Sequence, residues 1–147
     1  MQRDRFAVAQ TWLRTSAEDA AVAQTLCESS PSRSAFHAQQ SAEFALKSAT
    51  IALSDDHQRT YSLRVLLREI EALGEAISEH VKTDAVALEL FYTSTRYPDS
   101  VNDGDPSDFV DVATARAAIE RARRLYVFAS EIVERARIAA SGEHGLP

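Results

Sequence analysis

One cysteine, four glycines and four prolines are spread over 147 residues that include 25 alanines. Cys27 alone can close no internal disulfide and supports no cysteine-based zinc site, so it reads as a small buried apolar residue. Glycine and proline are too scarce for the many turns of an all-β chain. The longest uninterrupted apolar run is LYVFA, residues 125–129, where a membrane span needs roughly 20. No membrane association is expected. Behind Arg3 and Arg5, the polar residues Asp4, Gln10, Thr11 and Arg14 interrupt any signal-peptide stretch, and the expected location is cytoplasmic. Positive charge is short too. Lys and Arg total 16 against 22 Asp and Glu, a net charge of −6, whereas a dedicated duplex-binding domain is usually basic.

What is present is the composition of a globular domain, 45% hydrophobic and 26% charged, in a length that fits one core. The apolar residues follow helical spacing. In the last third, Val112, Ala115, Ile119, Ala122, Tyr126, Ala129, Val133 and Ala136 alternate steps of three and four, and Ala118, Leu125, Ile132 and Ala139 widen the stripe. Arg116, Arg121, Arg123, Arg124, Arg135 and Arg137 fall outside it with Glu120, Glu131 and Glu134 interleaved, the pattern of a solvated face. A second seam, Ala35, Ala38, Ala42, Ala45, Ala49 and Ala52, is flanked by Leu46 and Leu53; opposite it lie His37, Gln40, Phe44, Ser48 and Ile51. A helix apolar on both sides either sits centrally or meets a second subunit.

An earlier helix carries the stripe Phe6, Ala9, Leu13, Ala17, Ala20 and Cys27, and Ser29 to Ser34, with Pro31, separates it from the alanine seam. Leu63, Leu66, Leu67, Ile70, Leu73 and Ile77 make a third stripe with Thr60 or Ser62 as N-cap. Ala85, Leu88, Phe91 and Tyr92 mark a shorter helix after Thr83 or Asp84. From Thr93 to Asp108 the chain reads TSTRYPDSVNDGDPSD, with turn formers throughout and no helical period. The expected fold is all-α: an up-and-down antiparallel bundle of four to five helices over residues 1–140, one long loop before the last helix, and a flexible tail at 141–147.

Several chemistries are absent from the sequence. Gly74, Gly104, Gly142 and Gly145 fit no phosphate-loop fingerprint. The residues three before His37, His57, His80 and His144 are Ser34, Ser54, Ile77 and Ser141, so the Glu-x-x-His repeat of a di-iron bundle is missing. No metal site and no cofactor are expected. The densest polar and aromatic group is Thr95, Arg96, Tyr97, Pro98 and Asp99, where a planar cation, a π face and a fixed backbone φ stand together.

The order AFHAQQSAEFALKSA, TYSLRVLLREI, FYTSTRYPD and then a long final helix resembles the HEPN domain of prokaryotic proteins, over roughly Arg5 to Arg137. The resemblance implies a bundle that commonly forms a homodimer, often the toxin half of a toxin-antitoxin pair beside a minimal nucleotidyltransferase. Active relatives cleave RNA without metal through an Arg-x(4 to 6)-His motif, the His moving a proton and the Arg neutralising phosphate. From Arg96 that His would stand at 101, 102 or 103, which are Val101, Asn102 and Asp103. The motif is missing there. Arg137 and His144 have the spacing but straddle a helix end, Tyr61 stands where relatives often carry His, and Tyr97 is a poor adenylylation acceptor without the motif.

The expected function is therefore a nucleotide- or RNA-associated partner of a minimal nucleotidyltransferase, non-catalytic. A metal-independent endoribonuclease with an unrecognised base, such as His37 or His57, and a structural module without nucleic-acid ligand are the alternatives. Arg96, Tyr97, Asp99, His37, Gln40 and Lys47 are the candidate nucleotide- and phosphate-binding residues, and Phe44 and Ile51 the candidate dimer contacts. Each has a plainer reading: Arg96 braces the loop through Asp99, Glu43 or Glu89, Tyr97 anchors it, His37 and Gln40 sit satisfied at the bundle surface, and Glu43 with Lys47 is an ordinary helix pair.

Overall fold

The computed structural model of the chain describes residues 3–94 and 110–145. Five helices occur among them: α1 (Arg5–Leu26), α2 (Pro31–Ser54), α3 (Leu63–Ala72), α4 (Glu79–Ser94) and α5 (Val112–Gly145), with no strand. Helix starts are set by short polar side chains. Asp4 accepts from the amides of Phe6 at 2.9 Å and Ala7 at 3.4 Å, and Asp111 from that of Thr114 at 2.7 Å. Both residues expected to begin α3 take part: Ser62 Oγ accepts from the Val65 amide, and Thr60 Oγ1 accepts from the Ser62 amide. Pro31 opens α2, where its missing N–H costs nothing.

α2 is the central post, touching α1, α5, α4 and α3. Its alanine seam, Ala35, Ala38, Ala42, Ala45 and Ala49, is fully buried among Leu66, Ile70, Leu88, Leu125 and Ile132. On the other side, Ile51 and Ala52 pack with Ala9, Leu13 and Val133. Small side chains let four neighbours approach one helix closely, which answers the question posed by its two apolar sides. Polar groups inside this packing are satisfied locally: Ser16 Oγ donates to the Ser41 carbonyl at 2.6 Å, and Ser34 Oγ to that of Ala23 at 2.6 Å. Cys27 is buried, its thiol beside the Val112 carbonyl.

Two termini carry left-handed backbone. α2 ends at Asp55 with φ 62°, a conformation Asp tolerates, and Arg3 grips its carbonyl at 2.9 Å and its Oδ1 at 3.0 Å. α3 ends before Gly74, whose φ of 105° suits a residue without Cβ.

Four sequence expectations need correction. α4 begins at Glu79 behind Ser78, whose Oγ accepts from the Val81 amide, rather than at Thr83 or Asp84; Asp84 is a buried mid-helix residue. In α1, Ala17 is exposed and the buried stripe runs through Ser16 and Ala23 instead, because hydroxyl pairing with Ser41 lets a serine take a core position. α5 continues through 141–145, where a flexible tail was expected. Ile51, expected at a dimer contact, is 1% exposed and covered by α1 and α5 of its own chain. Among the described residues no helix is long and apolar enough to cross a membrane.

Candidate nucleotide-binding site

The polar side of α2, the connection between α2 and α3, and the end of α4 enclose a cleft of about 400 Å³. Gln40 and Lys47 come from α2, Arg59 and Tyr61 from the connection, and Tyr92 from α4. The rings of Tyr61 and Tyr92 stack with centroids 4.0 Å apart and planes 5° from parallel, and Tyr61 remains 46% exposed. Its backbone is fixed from below: Gln39 Nε2 donates to the Tyr61 carbonyl at 3.2 Å. The next turn is fixed by Glu89, which accepts from Ser62 Oγ, the Arg64 amide and the Arg64 guanidinium. Burial pushes the Glu89 carboxyl up, but the hydrogen bonds from Ser62 and Arg64, with the Arg64 charge, outweigh it and hold it below the usual carboxylate value.

The cations of the cleft differ in their commitments. Lys47 Nζ lies 2.9 Å from Glu43 Oε2 with both side chains nearly buried, and 6.0 Å from the Trp12 ring centroid. Glu43 also draws the amides of Gln39 and Gln40 at 3.5 and 3.4 Å. The pair read as an ordinary helix pair is thus an internal brace. Arg59, by contrast, is exposed and has no acidic partner among the described residues. His57 packs on Trp12 with centroids 4.7 Å apart, and its Nδ1 faces the Gln58 carbonyl at 3.1 Å. Facing an acceptor, a neutral imidazole carries its proton on Nδ1 and leaves the Nε2 lone pair free.

The other sequence candidates separate. His37 does not line the cleft; it stands one turn before Gln40, with Nδ1 2.9 Å from Asp19 Oδ1. Phe44 is half-buried, its ring edge-on to Trp12 at 5.6 Å within the same chain. Arg96, Tyr97 and Asp99 lie outside the described residues. Of the acids weighed as partners for Arg96, Glu43 is engaged by Lys47 and Glu89 by Arg64.

A profile of the HEPN domain matches residues 9–134. The chain belongs to the HEPN family. Its fold is similar to the crystal structure of TT1696 from Thermus thermophilus, at 26% identity and a TM-score of 0.79, covering 84% of this chain and 97% of that one. It is also similar in fold to ST0689, an archaeal HEPN homologue, at 22% identity and a TM-score of 0.70, covering 90% and 99%. No curated protein matches the sequence.

In this HEPN chain the arginines of α5 are spoken for. Arg121 and Arg124 hold Asp84, Arg123 holds Glu120, Arg116 reaches Glu28, Arg135 reaches Glu75, and Arg137 is held by Glu134 at 2.6 Å. The α5 face is therefore not a free cationic patch, and the Arg of the Arg137 and His144 spacing is already paired. Among the described residues no three of His, Cys, Asp and Glu gather as metal ligands. Sequence reasoning passed over Arg59, Tyr92 and Asp19, and read Tyr61 only as a replacement for His. The available signal was RTYS, residues 59–62, a cation and an aromatic between two helical stripes with no helical period of their own.

Proposed function

We propose that this HEPN chain binds a phosphate-bearing nucleotide or an RNA end in the cleft of Arg59, Lys47, Tyr61 and Tyr92, without cleaving it. The observation that carries the reading is the guanidinium of Arg59, without an acidic partner among the described residues, beside an exposed, pre-stacked Tyr61. An Arg fork suits phosphate, and a ring already held in place gives a base a stacking platform at little ordering cost. Gln40 Nε2 donates to Gln39 Oε1 at 2.7 Å, so the group Gln40 offers a base is its carbonyl oxygen, an acceptor for an exocyclic amine. A net charge of −6 favours a small anion captured at one local site over a long duplex.

Isothermal titration with AMP, ATP and a short oligoribonucleotide tests this. Arg59→Ala and Tyr61→Ala should each weaken binding about tenfold while melting stays cooperative, since charged hydrogen bonds and base stacking contribute about 1–3 kcal/mol each. Unchanged affinity in both variants removes the cleft from the reading. Family membership supports the wider setting: a homodimer, a minimal nucleotidyltransferase as protein partner and a toxin-antitoxin role. Co-expression with an adjacent nucleotidyltransferase and co-purification test that part, and no complex at micromolar concentration rejects it.

One observation favours the alternative of a metal-independent endoribonuclease. Asp19 accepts from His37 Nδ1, the arrangement that orients a general base with Nε2 outward. RNA cleavage in chelator that disappears in His37→Ala and Asp19→Asn would establish it; intact RNA in all three proteins leaves the binding reading.

A further inference from the structure

A second groove, separate from the nucleotide cleft, runs between α3 and α4 and encloses about 320 Å³. Leu67 and Ile77 form its floor and Val86 its apolar lip, while Arg64, Arg68, Lys82 and one acid, Glu71, stand at its rim. Leu67 is nearly buried, but Val86 remains 50% exposed on the outer side of α4. Turn geometry creates the groove. Gly74 reverses the chain so that the 10-residue α3 lies beside α4, with α2 packed against both.

The rim charges are unequal. Arg64 is tied to Glu89 at 2.7 Å. Lys82 is held loosely, 3.7 Å from both Glu71 and Glu79. Arg68 is exposed and has no acidic partner among the described residues. The lining carries three cations against the single carboxylate of Glu71, and an apolar floor beside Arg68, which no acid among the described residues holds, fits a short apolar body ending in a single anionic head. The volume is at the low end for small-molecule sites, which begin near about 300 Å³.

We propose that the α3 and α4 groove is a binding site for a small amphipathic anion, such as a medium-chain carboxylate, with Arg68 and Lys82 on its head and Leu67, Ile77 and Val86 around its tail. The apolar body displaces water from the floor, and the head meets a guanidinium that no carboxylate among the described residues occupies. The proposal is independent of the nucleotide reading, since no residue except the neighbouring Arg64 connects the two sites.

Calorimetric titration of the whole chain with octanoate, and in parallel with octanol, tests it. One octanoate should bind per chain, and octanol should bind at least about tenfold more weakly for want of the charged hydrogen bond. Arg68→Glu and Val86→Asp, both at exposed positions, should each weaken octanoate by at least about tenfold. Arg33→Glu, the same charge change on α2, should leave it unchanged. If Arg68→Glu fails to fold by circular dichroism, Arg68→Gln serves in its place. Silence with octanoate at millimolar concentration, equal affinity for octanol, or full affinity in Arg68→Glu overturns the proposal. So does a wild-type dimer in sedimentation that Val86→Asp converts to monomer, because the groove would then be covered by a second copy. AMP affinity measured on the same Arg68 variant should stay at the wild-type value, which keeps this test distinct from that of the nucleotide cleft.

Discussion

Arg124 lies across Asp84 with Nε 2.8 Å from one carboxylate oxygen and Nη2 2.9 Å from the other, and Arg121 adds a third bond at 3.1 Å. This fork fastens α5 to α4 through an acid that is 0% exposed. Asp84→Asn should therefore cost about 2–3 kcal/mol, the range for hydrogen bonds to a charged group, because both arginines retain enough exposure to hydrate once released. A fall in melting temperature of about 5–10 °C follows for a domain of this size. Calorimetric scans of the two proteins check it, and a shift under about 1 °C would show that the fork contributes nothing net.

Acid should undo the same contacts. Burial pushes the Asp84 carboxyl up, but the hydrogen bond from Arg124 and the charges of Arg124, His80 and Arg121 together outweigh it and hold it below the usual carboxylate value. Glu89 is held low in the same sense. A folded state that binds the proton more weakly than the unfolded chain draws its extra stability above the ordinary carboxylate pKa and loses it as pH falls through the depressed values. Urea midpoints followed from neutral pH downward should drop through that window, and the drop should be smaller in Asp84→Asn.

Glu69 should behave in the opposite way. Burial and the nearby Asp56 push its carboxyl up, with His57 opposing, and its Oε2 is buried without a hydrogen-bond partner among the described residues. The folded state binds this proton more tightly than the unfolded chain, so Glu69 costs stability once pH rises past the raised value and costs nothing below the ordinary one. Glu69→Gln should stabilise the protein by about 1 kcal/mol at neutral pH. The difference in melting temperature between variant and wild type should vanish in acid; a constant difference would refute the titration account.

Enlarging the alanine seam should be poorly tolerated. Ala42 is fully buried on α2, and Ala42→Leu forces three further carbons into a packed interface, at about 1–3 kcal/mol or more. Denaturant midpoints measure this, and a stabilised variant would reveal an unfilled space beside Ala42.

Phe44→Glu should reduce melting temperature in a dilute, monomeric sample, because the ring packs against Trp12 of its own chain. Removing an aromatic pair costs about 0.5–1.5 kcal/mol beyond lost burial. A dilution series in sedimentation, run beside the melts, separates this from any contact between copies: stability unchanged at all concentrations would assign Phe44 to a subunit contact alone.

The helices could be read from spacing because each buries a stripe, and stripes repeat at three and four residues: Leu63, Leu66, Leu67 and Ile70 on α3 are all in the core as expected. Where the reading failed, polar residues had entered the core. Ser16 replaced Ala17 in the stripe of α1 by donating to Ser41, and Asp84, which looked like a helix start, was buried by two arginines about 40 positions away. Such pairings leave no periodic trace. The site was harder still. Gln40 was legible through the α2 face it shares with His37 and Lys47 through its spacing from Glu43, whereas Arg59, Tyr61 and Tyr92 reach the cleft from two other elements, and only the folded chain brings them together.

The central position of α2 also governs how the bundle comes apart. Every other helix leans on it; among the described residues α3 packs mainly against α2 and α4, and α1 mainly against α2 and α5. Detaching any outer helix bares part of the alanine seam or of the Ile51 side, but freeing α2 removes the support of all four at once. The amides of α2 around Ala42 and Ala45 should thus exchange with solvent only when the whole chain opens, while α3 exchanges through a smaller and more frequent event.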